Sequence, residues 1–146
     1  MKQKNRRKTP PGRWIDDPLT VVTRPFGAPG PSYALGWHTG VDLAVPGKHH
    51  LPVVWALEGH GRVMANSWDN DYGRYLIIRG RNGNDWLFAH LAQTKVYQGQ
   101  IVGNGDLIGI TGDSGNATGD HLHVERATGT WRFGSVCRPL IYDYSQ

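Results

Sequence analysis

At 146 residues the chain has room for one domain with a sizeable core and not for two. An apolar fraction of 38%, a mean hydropathy of −0.49 and the lack of any long apolar run argue against a membrane span. The lone Cys137 excludes an intramolecular disulfide and a cysteine-based zinc site, so any metal must be held by His, Asp and Glu.

The formal charge of +4 is uneven. Residues 1–17 read as an arm or linker whose start, "MKQKNRRK", carries Lys2, Lys4, Arg6, Arg7 and Lys8. Such a run is either a solvated tail or an electrostatic hold on a polyanion, such as an anionic wall polymer. It resembles a signal peptide's basic start, but "TPPGRWIDDP" follows where an apolar stretch would be needed. Residues 18–146 are expected to form a single domain.

Within that domain, Leu19 to Thr23 reads as a strand ended by Pro25 and Gly27. "APGPSYALGWHTG" is a loop dense in turn residues, and "VDLAV" is a short strand closed by "PGKHHLP". "VVWALEGHGRVMAN" reads as two strands with Glu58 to Gly61 between them. "YLIIRGRNGNDWLFAHL" is the clearest hairpin, turning through "GRNGN". "IVGNGDLIGIT" gives a turn and a strand, the loop "GDSGNATGD" follows, and "HLHVE" is a further strand. "WRFGSVCRPLIYDY" is read as an edge strand and a packed tail. No window has helical periodicity, and 20 Gly with nine Pro favour short strands and many turns. The expected architecture is mostly antiparallel β, packed as sheets or a partial barrel.

Histidines punctuate this pattern. In a strand, side chains two apart share a face, so His121 and His123 point one way while Leu122 and Val124 point to the core. In "HTGVD" a four-residue offset puts His38 and Asp42 on one face, and Gly40 lets the backbone bend between them. His90 ends the run "DWLFAH". A catalytic zinc takes three such ligands and keeps one position open. His38, Asp42 and one member of the 121/123 pair meet that need, and the other histidine is then free to face a substrate.

These motifs, in this order and setting, resemble the lysostaphin/LytM-type peptidoglycan endopeptidases. "RPFGAPGPSYALGWHTGVDLAVPGKHHLPVVWALEGHGRV" is similar to their metal-binding half, "GRYLIIRGRNGNDWLFAHL" to their middle hairpin, and "YQGQIVGNGDLIGITGDSGNATGDHLHVE" to their closing half. The likeness runs over about residues 19 to 126. It implies a barrel-sandwich hybrid (a duplicated hybrid motif) with an open groove and few or no helices. It also implies one zinc ion on His38, Asp42 and His123, with His90 and His121 beside the open position as catalytic histidines. Tyr33 is the nearest match to a catalytic tyrosine that family members carry before the first ligand. Glu125, on the same face as the two histidines, is a candidate to fix an imidazole from behind. Asp120 stands where relatives often have proline, and either orients a neighbouring histidine or ends the loop. His49, His50 and His60 read as surface residues.

The implied activity is hydrolysis of peptide bonds in the stem or cross-bridge of bacterial peptidoglycan. The alternative is a non-catalytic wall-binding or hydrolase-activating relative, though such relatives lose ligands and this chain has all five positions. A nucleic-acid-binding reading of the basic arm leaves the histidines unexplained, so no nucleic-acid partner is expected. With no visible export signal, the expected setting is a monomeric phage or prophage lysin, held in the cytoplasm of the producing cell until released.

Overall fold

The β-branched and aromatic runs become strands, and the glycine- and proline-rich segments between them become turns. A computed structural model describes residues 8–145, with nine strands and no helix among the described residues. The strands are β1 (Val21–Arg24), β2 (Val41–Ala44), β3 (Pro52–Val54), β4 (Gly61–Asp69), β5 (Gly73–Gly80), β6 (Asp85–Thr94), β7 (Ile101–Val102), β8 (Leu107–Thr111) and β9 (Leu122–Ala127). All pairings are antiparallel, in the order β1-β2-β9-β6-β5-β4-β7, with β8 bridging β6 to β3. The sheet is open rather than a closed barrel, since β1 and β7 end the order without pairing to each other.

The "GRNGN" hairpin forms as read, with Gly80 N–H donating to Asn84 O at 2.9 Å and Gly83 at φ 88° in the turn. The two strands of "VVWALEGHGRVMAN" exist but do not pair with each other: β3 pairs with β8, and β4 with β5 and β7. The C-terminal segment forms no strand, only an isolated bridge between Arg126 and Cys137. Pro139 has no N–H to offer a sheet partner there. The tail is packed instead: Trp14 Nε1 donates to Leu140 O at 3.0 Å, and Tyr144 Oη donates to Ile15 O at 2.6 Å.

Those contacts also correct the boundary placed at residue 17. Trp14 and Ile15 are 0% and 1% exposed and belong to the main core. The Trp14 ring lies 5.0 Å from those of Trp86 and Phe88 and 5.7 Å from that of Trp55. A tryptophan of that size buries far too much apolar area to serve as linker. Residues 1–7, which carry most of the basic arm, lie outside the described residues.

β6 positions the site. Its Trp86, Phe88 and Leu91 enter the main core, while Leu87 and Ala89 face a smaller cluster with Tyr72, Tyr75, Ile77 and Trp131. On one edge it pairs with β9 through Asp85–Ala89 and then with β8 from Leu91 onward. His90 sits at the fork.

Candidate active site

Asp42 of β2 lies directly opposite His123 of β9. Opposed residues share a face, so the two side chains meet on one side while Val41, Leu43, Leu122 and Val124 are buried on the other. His38 arrives from the loop before β2. Gly40 makes that approach possible: a Cβ there would collide with the Val124 carbonyl oxygen and fall 2.8 Å from His123 Cε1.

Three atoms converge as a result. Asp42 Oδ1 is 2.9 Å from His123 Nδ1 and 3.2 Å from His38 Nε2, and those two nitrogens are 3.2 Å apart. The other nitrogen of each ring is committed. His38 Nδ1 lies 3.1 Å from the Pro25 carbonyl oxygen, which can only accept, so this nitrogen carries the proton. His123 Nε2 lies 2.8 Å from Glu125 Oε2. In the neutral rings the converging nitrogens are therefore lone pairs facing a carboxylate oxygen, an arrangement that calls for a shared proton or a cation. Ligands on a tetrahedral zinc at about 2.0–2.1 Å lie about 3.3 Å apart, close to these separations. The donor set fits a divalent metal.

Two further imidazoles flank the cluster. His121 Nε2 is 3.7 Å from Asp42 Oδ2, and its Nδ1 donates to Gly119 O at 2.8 Å. His90 Nδ1 donates to Ser114 O at 2.7 Å, and its ring centroid lies 4.8 Å from that of His121. Each thus has a free Nε2. Simple alternation would put His90 on the core face with Phe88. A bulge prevents this: Phe88 opposes Leu76 but Leu91 opposes Arg74, so β6 has one residue more than β5 across that step. His90 takes up the extra residue at φ 63°, a left-handed conformation unusual for histidine, and its ring lies 5.8 Å from that of His123.

Behind His123, Glu125 is fully buried, and four side chains hold its two oxygens. Oε2 takes the His123 contact, Thr39 Oγ1 at 2.6 Å and Tyr72 Oη at 2.7 Å; Oε1 accepts from Trp131 Nε1 at 2.8 Å. Burial alone would raise the Glu125 pKa, but His123 first, and then Thr39 and Tyr72, pull it below the usual carboxylate value. Burial would likewise raise that of Asp42, and its hydrogen bonds with His123 and His38 instead hold it far below the carboxylate range. For His123 burial opposes the charge, yet Asp42 and Glu125 together push it up to about 9 in the metal-free site. His90, with burial dominant, is lowered to about 4 and stays neutral at pH 7.

These groups open onto a groove of about 560 Å³ that also includes Arg24, Tyr33, Asp71 and Phe133. The Tyr33 ring lies 5.0 Å from that of His38, and its hydroxyl accepts from Arg24 Nη1 at 3.0 Å. The five histidine and aspartate positions singled out in the sequence thus meet in one place, with Tyr33 beside them. Asp120 points away: its carboxylate accepts from Thr111 Oγ1 at 2.7 Å and from His50 N–H at 3.2 Å, tying the start of β9 to the turn before β3. His49, His50 and His60 are exposed and outside the groove. Thr39, Tyr72, Trp131 and Ser114 escaped the sequence reading. Only Thr39, inside "HTGVD", lay within a motif.

Residues 36–133 match the pattern of peptidase family M23. The DD-carboxypeptidase/endopeptidase Mpg of Neisseria meningitidis serogroup B is 35% identical over 108 residues, 73% of this chain and 24% of the relative. The chain therefore spans about a quarter of the length of the curated relatives it matches. A zinc-containing peptidase from Vibrio cholerae superposes with a TM-score of 0.69 at 28% identity, over 91% of this chain and 39% of that one. The catalytic domain of lysostaphin from Staphylococcus simulans, at 23% identity, shares the fold with a TM-score of 0.72 over 81% and 86% of the two chains. With the match covering the whole stretch from before His38 to beyond Glu125, the chain belongs to peptidase family M23.

Proposed function

We propose that the groove hydrolyses peptide bonds in the stem or cross-bridge of bacterial peptidoglycan, with one zinc ion on His38, Asp42 and His123. The observation that carries this reading is the convergence of His38 Nε2, His123 Nδ1 and Asp42 Oδ1, with the two imidazole rings fixed from behind, by Pro25 O and by Glu125. A zinc ion bound there would supply Lewis acidity, to polarise a carbonyl and to make water a nucleophile near neutral pH. Family membership and the endopeptidase name of the Neisseria relative support the reaction class.

The remaining chemistry belongs to this chain's residues. His90 Nε2 and His121 Nε2 are free to accept a proton from water and return one to the leaving amine. His90 is suited to accept it, since burial keeps the ring neutral at pH 7. A protonated or hydrogen-bonding imidazole, or the Tyr33 hydroxyl, also stabilises negative charge on the attacked carbonyl oxygen. Buried walls on the β6 and β9 side hold these groups still and limit water around them. The non-catalytic alternative leaves two aimed, unshared imidazoles without purpose.

The test is release of amino groups from purified peptidoglycan by native, chelator-treated and zinc-restored protein. Cleavage that disappears on chelation and returns with about one equivalent of zinc is the expected result. A zinc-loaded protein that binds peptidoglycan of several types but releases nothing would establish the wall-binding alternative.

A further inference from the structure

Arg24 closes β1 directly opposite Asp42. Val22 opposes Leu43, so regular pairing would bring Thr23 to that place, and one extra residue in β1 brings Arg24 instead. Opposed residues share a face with Cβ atoms roughly 4.5–5.5 Å apart, and a bulge is a common device for re-aiming a side chain beside an active site. The guanidinium is thereby brought to the groove next to the metal cluster, where Arg24 is the one Lys or Arg among the lining residues.

The carboxylate opposite it is already occupied. Asp42 is engaged by the imidazoles of His38 and His123, and Arg24 Nη1 turns to the Tyr33 hydroxyl at 3.0 Å. Among the described residues no carboxylate pairs with Arg24. A guanidinium has five N–H donors in a planar fork that matches a carboxylate, so four remain for a ligand. Tyr33, whose ring lies 5.0 Å from that of His38, holds the fork close to the candidate metal ligands.

We propose that Arg24 is a carboxylate-binding subsite that selects cross-links carrying a free carboxylate beside the scissile amide. This rests on the endopeptidase reading above. In a D-alanyl–diaminopimelate link the carbon bonded to the leaving nitrogen also bears a carboxylate, whereas an internal glycine–glycine bridge has none. Arg24 thus favours the first substrate class over the second.

The experiment uses two soluble cross-linked peptide dimers, identical except that this carboxylate is free in one and a primary carboxamide in the other. Native protein is expected to prefer the free acid by about tenfold or more in kcat/KM, the scale of one charge-assisted hydrogen-bond pair. Arg24→Ala brings the ratio to within about twofold, chiefly through KM, and Arg24→Lys, which keeps the charge but not the fork, lies between. Equal cleavage of both dimers by native protein overturns the subsite, and so does an equal fall on both in Arg24→Ala. Cleavage of a pentaglycine peptide with both dimers intact overturns the subsite alone. Native, zinc-loaded protein that cleaves neither dimers nor pentaglycine overturns the endopeptidase reading with it.

Discussion

Glu125 shows how much of the site lies one layer behind the groove. Replacing it with alanine leaves Thr39, Tyr72, Trp131 and His123 facing an empty pocket, four donors with no acceptor. Breaking a buried charged pair costs about 3–5 kcal/mol, and losing the group behind a ligand histidine lowers metal affinity about 10- to 100-fold. Glu125→Ala is therefore expected to lower Tm and weaken zinc binding together, read by calorimetry and competition with a chelating dye. Glu125→Asp with unchanged zinc affinity would contradict a positioning role, because a shorter arm does not reach all four donors. His90 gives a second expectation at this scale. Its folded pKa of about 4 lies below the unfolded value of 6.5, so the stability it contributes is complete above pH 6.5 and is lost as pH falls towards 4. The loss approaches about 3 kcal/mol. Urea midpoints of metal-free native protein should fall more between pH 7 and 4.5 than those of His90→Gln.

Among the elements, β9 was legible and β6 was not fully so. The "HLHVE" alternation has period two, and a strand realises that period locally; His123 and Glu125 face the site while Leu122 and Val124 are buried. His90 obeys no such rule. Its placement depends on the bulge that β6 makes against β5, at the step where β6 exchanges β9 for β8 as partner, and those partners lie far along the chain. The resemblance to the endopeptidase family set His90 beside the cluster, and its ring lies 5.8 Å from that of His123, whereas strand periodicity alone would have turned it inward. The hub around Glu125 was out of reach for a similar reason, since Tyr72 sits in a turn and Trp131 in irregular chain beyond β9, neither with a pattern of its own. Gly40 supplies the test of the β2–β9 approach. Gly40→Ala sets a Cβ against the fixed Val124 carbonyl and the His123 ring. Overpacking of this kind costs about 1–3 kcal/mol, and zinc affinity should fall with it; retention of both would show that β2 and β9 are not held as closely as the structure has them.

For the molecule as a whole, the core begins earlier than the sequence suggested. Trp14 sits among turn residues and charges, so nothing nearby marks it as core; its partners Trp55, Trp86 and Phe88 are far along the chain. Removing residues 1–17 takes Trp14 and Ile15 with it, and Trp14→Ala alone is expected to cost about 3–5 kcal/mol in urea unfolding. Metal binding is also a property of the whole protonated assembly. Because His123 is raised to about 9 without metal, zinc must displace its proton at neutral pH. Calorimetry in buffers of different ionisation heat should find about one proton released per zinc at pH 7, with apparent affinity falling about tenfold per pH unit below 9. By the same sign, the metal-free protein keeps the full stabilisation from His123 below pH 6.5 and loses it as pH rises through 9.

The central claim is a division of labour within "HLH", in which His123 holds the metal and His121 serves the reaction. It is tested most directly by measuring zinc content and peptidoglycan cleavage on the same preparations of native protein, His123→Ala and His121→Ala. The account predicts one zinc and cleavage in the native protein, loss of both in His123→Ala, and retained zinc with cleavage reduced about 10²- to 10⁴-fold in His121→Ala. Full zinc occupancy in His123→Ala, or undiminished cleavage in His121→Ala, would contradict it.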